Sequence, residues 1–290
     1  MSLPSSPSSA GAPSEPDAPS LPYLVGFDGS VRSLAAARWA AREAGPAGAA
    51  LRLLHVGHAW PTIQPISPEF QPVLGESARA AEGVLSALAE ELRALHPGLT
   101  VETATAEGGP ASELPRAAAH ARLLVVGAGG HNHHVPLLGS TALHVAGRSE
   151  IPVVLIREPA AAPAAAAERG QRGRGVVVGV DPAGDYEAVL GFGYAWAEAH
   201  GLPLRAVHAG PEPAQSLEAA VAKVSAAYPG VATECVSRPG DPAHVLVDES
   251  ATADLLVVGR RHHRPLHGLG PTDHAVAHYA RGPVALIPHG

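Results

Sequence analysis

The chain is written twice. GFDGSVRSLAAARWAAREA at residues 26–44 returns as GVDPAGDYEAVLGFGYAWAEA at 179–199. Asp28 matches Asp181 and His55 matches His208 at an offset of 153, whereas Pro110 matches Pro242 and Gly127 matches Gly259 at an offset of 132. The change of offset places one insertion in the first copy, between its second and third strands. A duplicated domain carries two copies of one ancestral site, so the positions where the copies differ indicate which copy kept it.

A chain of 290 residues accommodates two domains of roughly 130 residues each. The expected division is a disordered tail at 1–20, a first domain at 21–157, a linker at 158–174 and a second domain at 175–290. The tail is rich in Ser, Pro and Ala, and the linker in Pro-Ala and Gly-Arg, so neither has much to bury. The tail has neither the charged start nor the apolar middle of a secretory signal. No apolar run reaches the roughly 20 residues that span a bilayer. Cys235 is the one cysteine, which leaves no disulfide framework or thiolate cage and favours a cytosolic location. A formal net charge of −7 with a single lysine, Lys223, argues against a phosphate-tracking surface for nucleic acid.

Apolar runs and helical spacings alternate along each copy. In the first, LPYLVGF, ALRLLHV, LTVETATAE, RLLVVGA and IPVVLI read as strands. SVRSLAAARWAAREAG, Glu76–His96 with leucines at steps of three and four, ASELPRAAAHA and a segment opening near Ser140 read as helices. AWPTIQPISPEFQPVLG, with prolines at 61, 65, 68 and 72, is expected to be an extended loop. The second copy repeats the order with VVVGV, PLRAVHA, VATECVS, DLLVVGR and PVALIP. Such alternation implies an α/β fold with a parallel sheet covered on both faces. The linker is long enough for the copies to face one another as a pseudo-dimer.

In open α/β sheets a ligand binds beyond the carboxyl ends of the strands, where the crossover direction reverses. The first strand ends in Gly26-Phe27-Asp28-Gly29-Ser30, and the fourth in GAGGHNHHVPLLGST at 127–141. The glycines allow close backbone approach. The helix start that follows suits phosphate, and Ser140 and Thr141 add hydroxyl donors there.

These residues resemble the universal stress protein family over nearly all of 21–157 and 175–288. Many of its members bind ATP through Gly, two residues, Gly, nine residues, then Gly-Ser or Gly-Thr, after a VVG strand. Gly127, Gly130 and Gly139-Ser140 match, except that eight residues rather than nine separate Gly130 from Gly139. DGS after strand one, LLHV at strand two and IPVVLI at the end complete the likeness. The resemblance implies two Rossmann-like domains, each a five-stranded parallel sheet of order 3-2-1-4-5. It implies ATP, with Mg²⁺ as an accompanying ion, held with Asp28 and the Val56 backbone near adenine. Gly127, Gly130, Gly139, Ser140 and Thr141 would then surround ribose and phosphates. If the two halves pair through their fifth strands, as family members do between subunits, the chain could be self-sufficient as a monomer or could dimerise again into a four-domain assembly; a protein partner is not identified by the sequence.

The second copy departs from that pattern. Asp181, Gly259 and Gly270 remain, but His262 replaces the second glycine and Pro271 removes an amide donor and a hydroxyl. The expected nucleotide site is therefore the first, with a degenerate second. Other readings stay open. Asp28 could simply cap the next helix, and Gly127–Gly130 could be only a tight turn. His131, His133 and His134 in one loop, and His262, His263 and His267 in the other, could ligate a cation or respond to pH. His55 and His208 read as satisfied structural histidines, and Cys235 as buried and inert. No phosphate-loop lysine, G-x-S-x-G elbow or HExxH pair appears, and no residue is an obvious base for more than slow ATP hydrolysis. The alternatives to a nucleotide-binding stress module are a nucleotide-free scaffold and a metal- or pH-responsive module.

Overall fold

The computed structural model describes residues 21–57, 71–128, 139–157, 175–261 and 268–289, with side chains of the second helix from residue 79 onward. The expected tail, the expected linker and both histidine-bearing loops lie outside the described residues, as do Gly130 and His262.

The first half runs β1 (Tyr23–Gly26), α1 (Val31–Ala44), β2 (Leu51–Gly57), α2 (Gln71–Leu95), β3 (Val101–Glu107), α3 (Pro110–Ala118), β4 (Leu123–Gly127), α4 (Ser140–Arg148) and β5 (Val153–Ile156). The second half repeats it as β6 (Val176–Gly179), α5 (Glu187–His200), β7 (Leu204–Ala209), α6 (Ala214–Ser225), β8 (Thr233–Arg238), α7 (Pro242–Glu249), β9 (Leu255–Arg261), α8 (Pro271–Tyr279) and β10 (Val284–His289). The order 3-2-1-4-5 holds in both halves. They do not form two separate sheets, however. The strands run β3-β2-β1-β4-β5-β10-β9-β6-β7-β8 in one ten-stranded sheet, parallel throughout except where β5 meets β10 antiparallel, with Val154 opposite Ala285.

The sequence explains the layers. β4, β5, β6 and β10 carry unbroken buried apolar runs, as central parallel strands must. α1, α2, α5 and α6 cover one face through a cluster that includes Leu85, Leu88 and Leu92. α3, α4, α7 and α8 cover the other. α1 is Ala-rich and is capped by Ser30, whose hydroxyl accepts the Ser33 amide at 3.1 Å. α5 stops at Gly201, whose φ of +61° is left-handed.

Two expectations change. α2 begins at Gln71 and absorbs the last residues of the expected proline-rich loop. Pro72 falls in its first turn, where the missing amide has no helical partner to lose. Cys235 is exposed rather than buried, because β8 is an edge strand with little packed over it.

Contacts between the halves continue on both faces. Trp39 of α1 and Trp196 of α5 stack with centroids 5.5 Å apart, an arrangement worth roughly 1 kcal/mol beyond its buried area. One turn on in each helix, Glu43 Oε2 meets His200 Nε2 at 2.8 Å, and His200 Nδ1 lies 2.8 Å from the Trp196 carbonyl. On the opposite face Arg260, after the core of β9, donates to Gly147 O at 3.0 Å and to Ser149 O at the end of α4. Arg157, after β5, donates to Ala277 O near the end of α8. Gly147 lies so close to Gly268 that a Cβ would stand 3.3 Å from its Cα.

The Glu43–His200 pair has a definite pH signature. Burial is the largest single influence and opposes charge on both groups, but their mutual hydrogen bond, together with Arg42 beside Glu43 and the Trp196 carbonyl beside His200, outweighs it, lowering Glu43 and raising His200 from the ordinary 4.5 and 6.5. The raised His200 stabilises fully below its unfolded value and loses that contribution as pH rises through its folded one. The lowered Glu43 stabilises above its unfolded value and loses that contribution as pH falls. His200→Gln is therefore expected to cost about 1 kcal/mol, after solvent screening, between the two ordinary values. The deficit should fade as pH rises, read as wild-type and variant urea melts at stepped pH. A pH-independent deficit would show that packing alone was lost.

Candidate functional site

Both halves place the end of their first strand beside the end of their fourth, at the switch point of the sheet. In the first half, β1 pairs with β2 only as far as Gly26 opposite Leu54. β2 then continues through Val56 alongside β3. Val56 thus stands above the end of β1, next to the turn that carries Asp28. His55 Nδ1 lies 2.9 Å from the Phe27 carbonyl and fixes that strand end.

Asp28 is not the cap of α1; Ser30 is. The Asp28 carboxylate accepts the Ser30 amide at 2.9 Å, and its own amide donates to Ser33 Oγ at 3.3 Å. It shapes the turn while remaining exposed. Across the crevice, Gly127 has a packing reason to be glycine. A Cβ there would sit 2.7 Å from the Arg32 carbonyl carbon and 2.9 Å from the Ser33 amide nitrogen, so α1 starts directly against β4. Gly139 is the N-cap of α4, and Ser140 and Thr141 open its first turn. The described part of the first site therefore brings together Asp28, Val56 and Gly127, with α4 following β4 after residues 129–138.

The second half holds a cleft of about 410 Å³ at the equivalent place, within the range of small-molecule sites. Asp181 and Gly259 both line it, as does Gly270. Asp181 Oδ1 accepts the Ala183 amide at 3.1 Å, and Oδ2 meets Arg261 Nη2 at 2.9 Å. His208 repeats His55, with Nδ1 2.9 Å from the Val180 carbonyl, and its Nε2 adds Glu212 Oε2 at 2.8 Å. Gly259 also has a reason to be glycine, but a different one. A Cβ would meet the His289 ring at 2.6 Å and Val189 at 2.9 Å.

Sequence reasoning missed Arg261 and Asp273. Asp273 is the third residue of α8, and its carboxyl lies against the backbone amide of the N-cap Gly270, with Oδ2 3.3 Å from where a Cβ at Gly270 would stand. Burial pushes it up to about 6, against the pull of that amide, Arg260 and Arg261. Pro at the first helical position with an acid two residues later is a readable helix-start signal. Among the described residues no group of three or more His, Cys, Asp or Glu is placed to hold a metal.

The sequence model described as "Universal stress protein family" matches residues 22–157 and 212–288. A universal stress protein of Mycolicibacterium smegmatis is 31% identical over 288 residues, covering 91% of this chain and 96% of that one. One from Mycobacterium tuberculosis is 29% identical over 295 residues, covering 91% and 95%. Among solved structures, a universal stress protein from Archaeoglobus fulgidus superposes with a TM-score of 0.74 at 20% identity, covering 93% of this chain and 99% of that one. It shares the fold.

Because Gly127 is a packing position, Gly127→Val is expected to destabilise the chain by about 3 kcal/mol through displacement of the α1 start. Ser140→Ala, at an exposed first-turn position, should leave the unfolding midpoint nearly unchanged. Chemical denaturation of the two variants separates these effects. Equal stability of Gly127→Val and wild type would contradict the close approach.

Proposed function

The chain belongs to the universal stress protein family, and from that premise we propose that its first half binds an adenine nucleotide, ATP with Mg²⁺, in a stress-responsive module. The observation that carries this reading is the convergence of three features at one switch point. The Asp28 turn and the Val56 backbone stand on one side of the crevice. Gly127 admits the helix start on the other. The N-terminus of α4 follows, with Ser140 and Thr141 in its first turn.

Each feature has a chemical role in such binding. Asp28 is exposed and anionic, so it accepts from an amine or hydroxyl rather than meeting phosphate. Val56 offers strand backbone beyond the end of β1, a surface that reads the edge of a flat heterocycle. The first amides of α4 have no intrahelical acceptors, and with the helix dipole they favour an anion. Base at the β1–β2 side and phosphates toward α4 is the orientation that these charges support. Gly130 and the rest of 129–138 would complete the enclosure. Mg²⁺ would sit on the phosphates, and no described protein side chain is assigned to it.

Nucleotide occupancy would change the surface that the glycine-rich loop offers to a protein partner, which makes binding rather than turnover the function. The reading is tested by calorimetric titration of the full chain with ATP and Mg²⁺. One site per chain is expected, with affinity reduced about ten-fold or more in the Ser140→Ala/Thr141→Ala double variant. A correctly folded chain that binds no ATP would favour the nucleotide-free scaffold.

A further inference from the structure

The second cleft differs from the first where charge matters most. Gly139-Ser140-Thr141-Ala142 and Gly270-Pro271-Thr272-Asp273 open corresponding helices, each with the glycine as N-cap. The last position carries a methyl group in the first half and a carboxyl in the second. That carboxyl turns back onto the helix end and lies against Gly270, with Oδ2 3.3 Å from where a Cβ there would stand, in front of amides that would otherwise be offered to an anion. Pro271 removes the next amide altogether. The positive end of α8 is thereby occupied by a group of this chain.

The remaining charges reinforce the effect. Arg261, the guanidinium lining the cleft, is held by Asp181 at 2.9 Å, and His208 is engaged by Glu212 at 2.8 Å. Yet the cavity has not collapsed. Tyr186, Val189, Val207 and Leu246 give it an apolar wall, and Thr272 lies at its rim. A cavity that keeps an apolar wall and polar edge while its anion seat is filled internally is built to accept a flat, uncharged molecule.

We propose that the second cleft is a separate site for an uncharged nucleoside-sized molecule, and that Asp273, seated at the N-terminus of α8, excludes the phosphorylated forms. This rests on the nucleotide reading of the first half for the choice of a nucleoside, but the exclusion follows from Asp273 alone. Phosphate brought to the α8 terminus would meet a like charge and would have to displace the carboxyl seated there. A nucleoside would end short of it.

The test uses the full chain with two probes, adenosine and ATP, at about pH 8, where a carboxyl near 6 is ionised. Binding in the second cleft is read from the NMR signals of the His208 ring, which lines it. In the wild type, adenosine is expected to shift these signals and ATP to leave them in place. Asp273→Asn keeps the shape of the side chain against Gly270 while removing the charge. It should admit ATP at least ten-fold more tightly, and Asp273→Ala gives the same answer if loss of the carboxyl is tolerated. Wild-type shifts by ATP equal to those by adenosine, no shift by adenosine, or no gain of ATP binding in the folded Asp273→Asn variant would each overturn the proposal. Calorimetric ATP binding that is lost in the Ser140→Ala/Thr141→Ala variant reports the first half separately, so failure there leaves the His208 result interpretable.

Discussion

The antiparallel contact between β5 and β10 is the interaction on which the rest of the molecule depends. Each half alone would end in an exposed strand of wholly apolar character, VVLI in one and VALI in the other, and such edges attract foreign strands. Joining them satisfies both sets of backbone groups and buries both runs. It also fixes how the halves meet on either side of the sheet. α1 and α5 stack Trp39 on Trp196 on one face, and on the other the end of α4 meets the chain entering α8, Gly147 against Gly268.

The same contact sets where the sites lie. Ligand crevices form at the carboxyl ends of parallel strands, and the strand direction reverses at the β5–β10 junction. The two crevices therefore open on opposite rims. α4 and α8 each run from one rim to the other, with the N-terminus at the site of its own half and the C-terminus clamped from the other half. Arg260 holds the end of α4 and Arg157 the end of α8. Both guanidiniums are partly stripped of water, which pulls their pKa values down from the ordinary range. A buried guanidinium is tolerated when its donors are met, and the carbonyls at the helix ends meet some of them.

Much of this was legible in the sequence. The repeat gave the two halves, the alternation gave the layers, and the family resemblance gave the strand order. The pairing of His55 with His208 as structural residues was also readable, because each closes the same carbonyl contact at a matching strand end. What escaped were effects that depend on neighbours distant in sequence. The expected strand order already puts β8 at an edge, but how little packs over Cys235 shows only in the fold. Arg260 has no visible partner until the halves are joined, since its acceptors lie in α4. Asp273 is hidden for a different reason. Pro271 by itself signals only the loss of a donor, and the stretch reads as a helix start only when the acid two residues later is taken with it.

Gly127 and Gly259 show how far a motif match can carry an argument. They are equivalent by position and identical by type, and a search for the family pattern treats them alike. Physically they differ, since the first makes room for the backbone of Arg32 and Ser33, and the second for the His289 ring and Val189. Neither requires a ligand to explain it. The residues that separate the halves chemically stand instead at the helix N-termini, chiefly Ala142, which is packed into the core, against Asp273, which lines the second cleft, at the third position of corresponding helices. Duplication makes such divergence inexpensive, because the fifth-strand junction holds the architecture whatever charge is placed at either rim. The difference between the two sites is therefore better sought in charge at the helix N-termini than in the glycines that first draw attention.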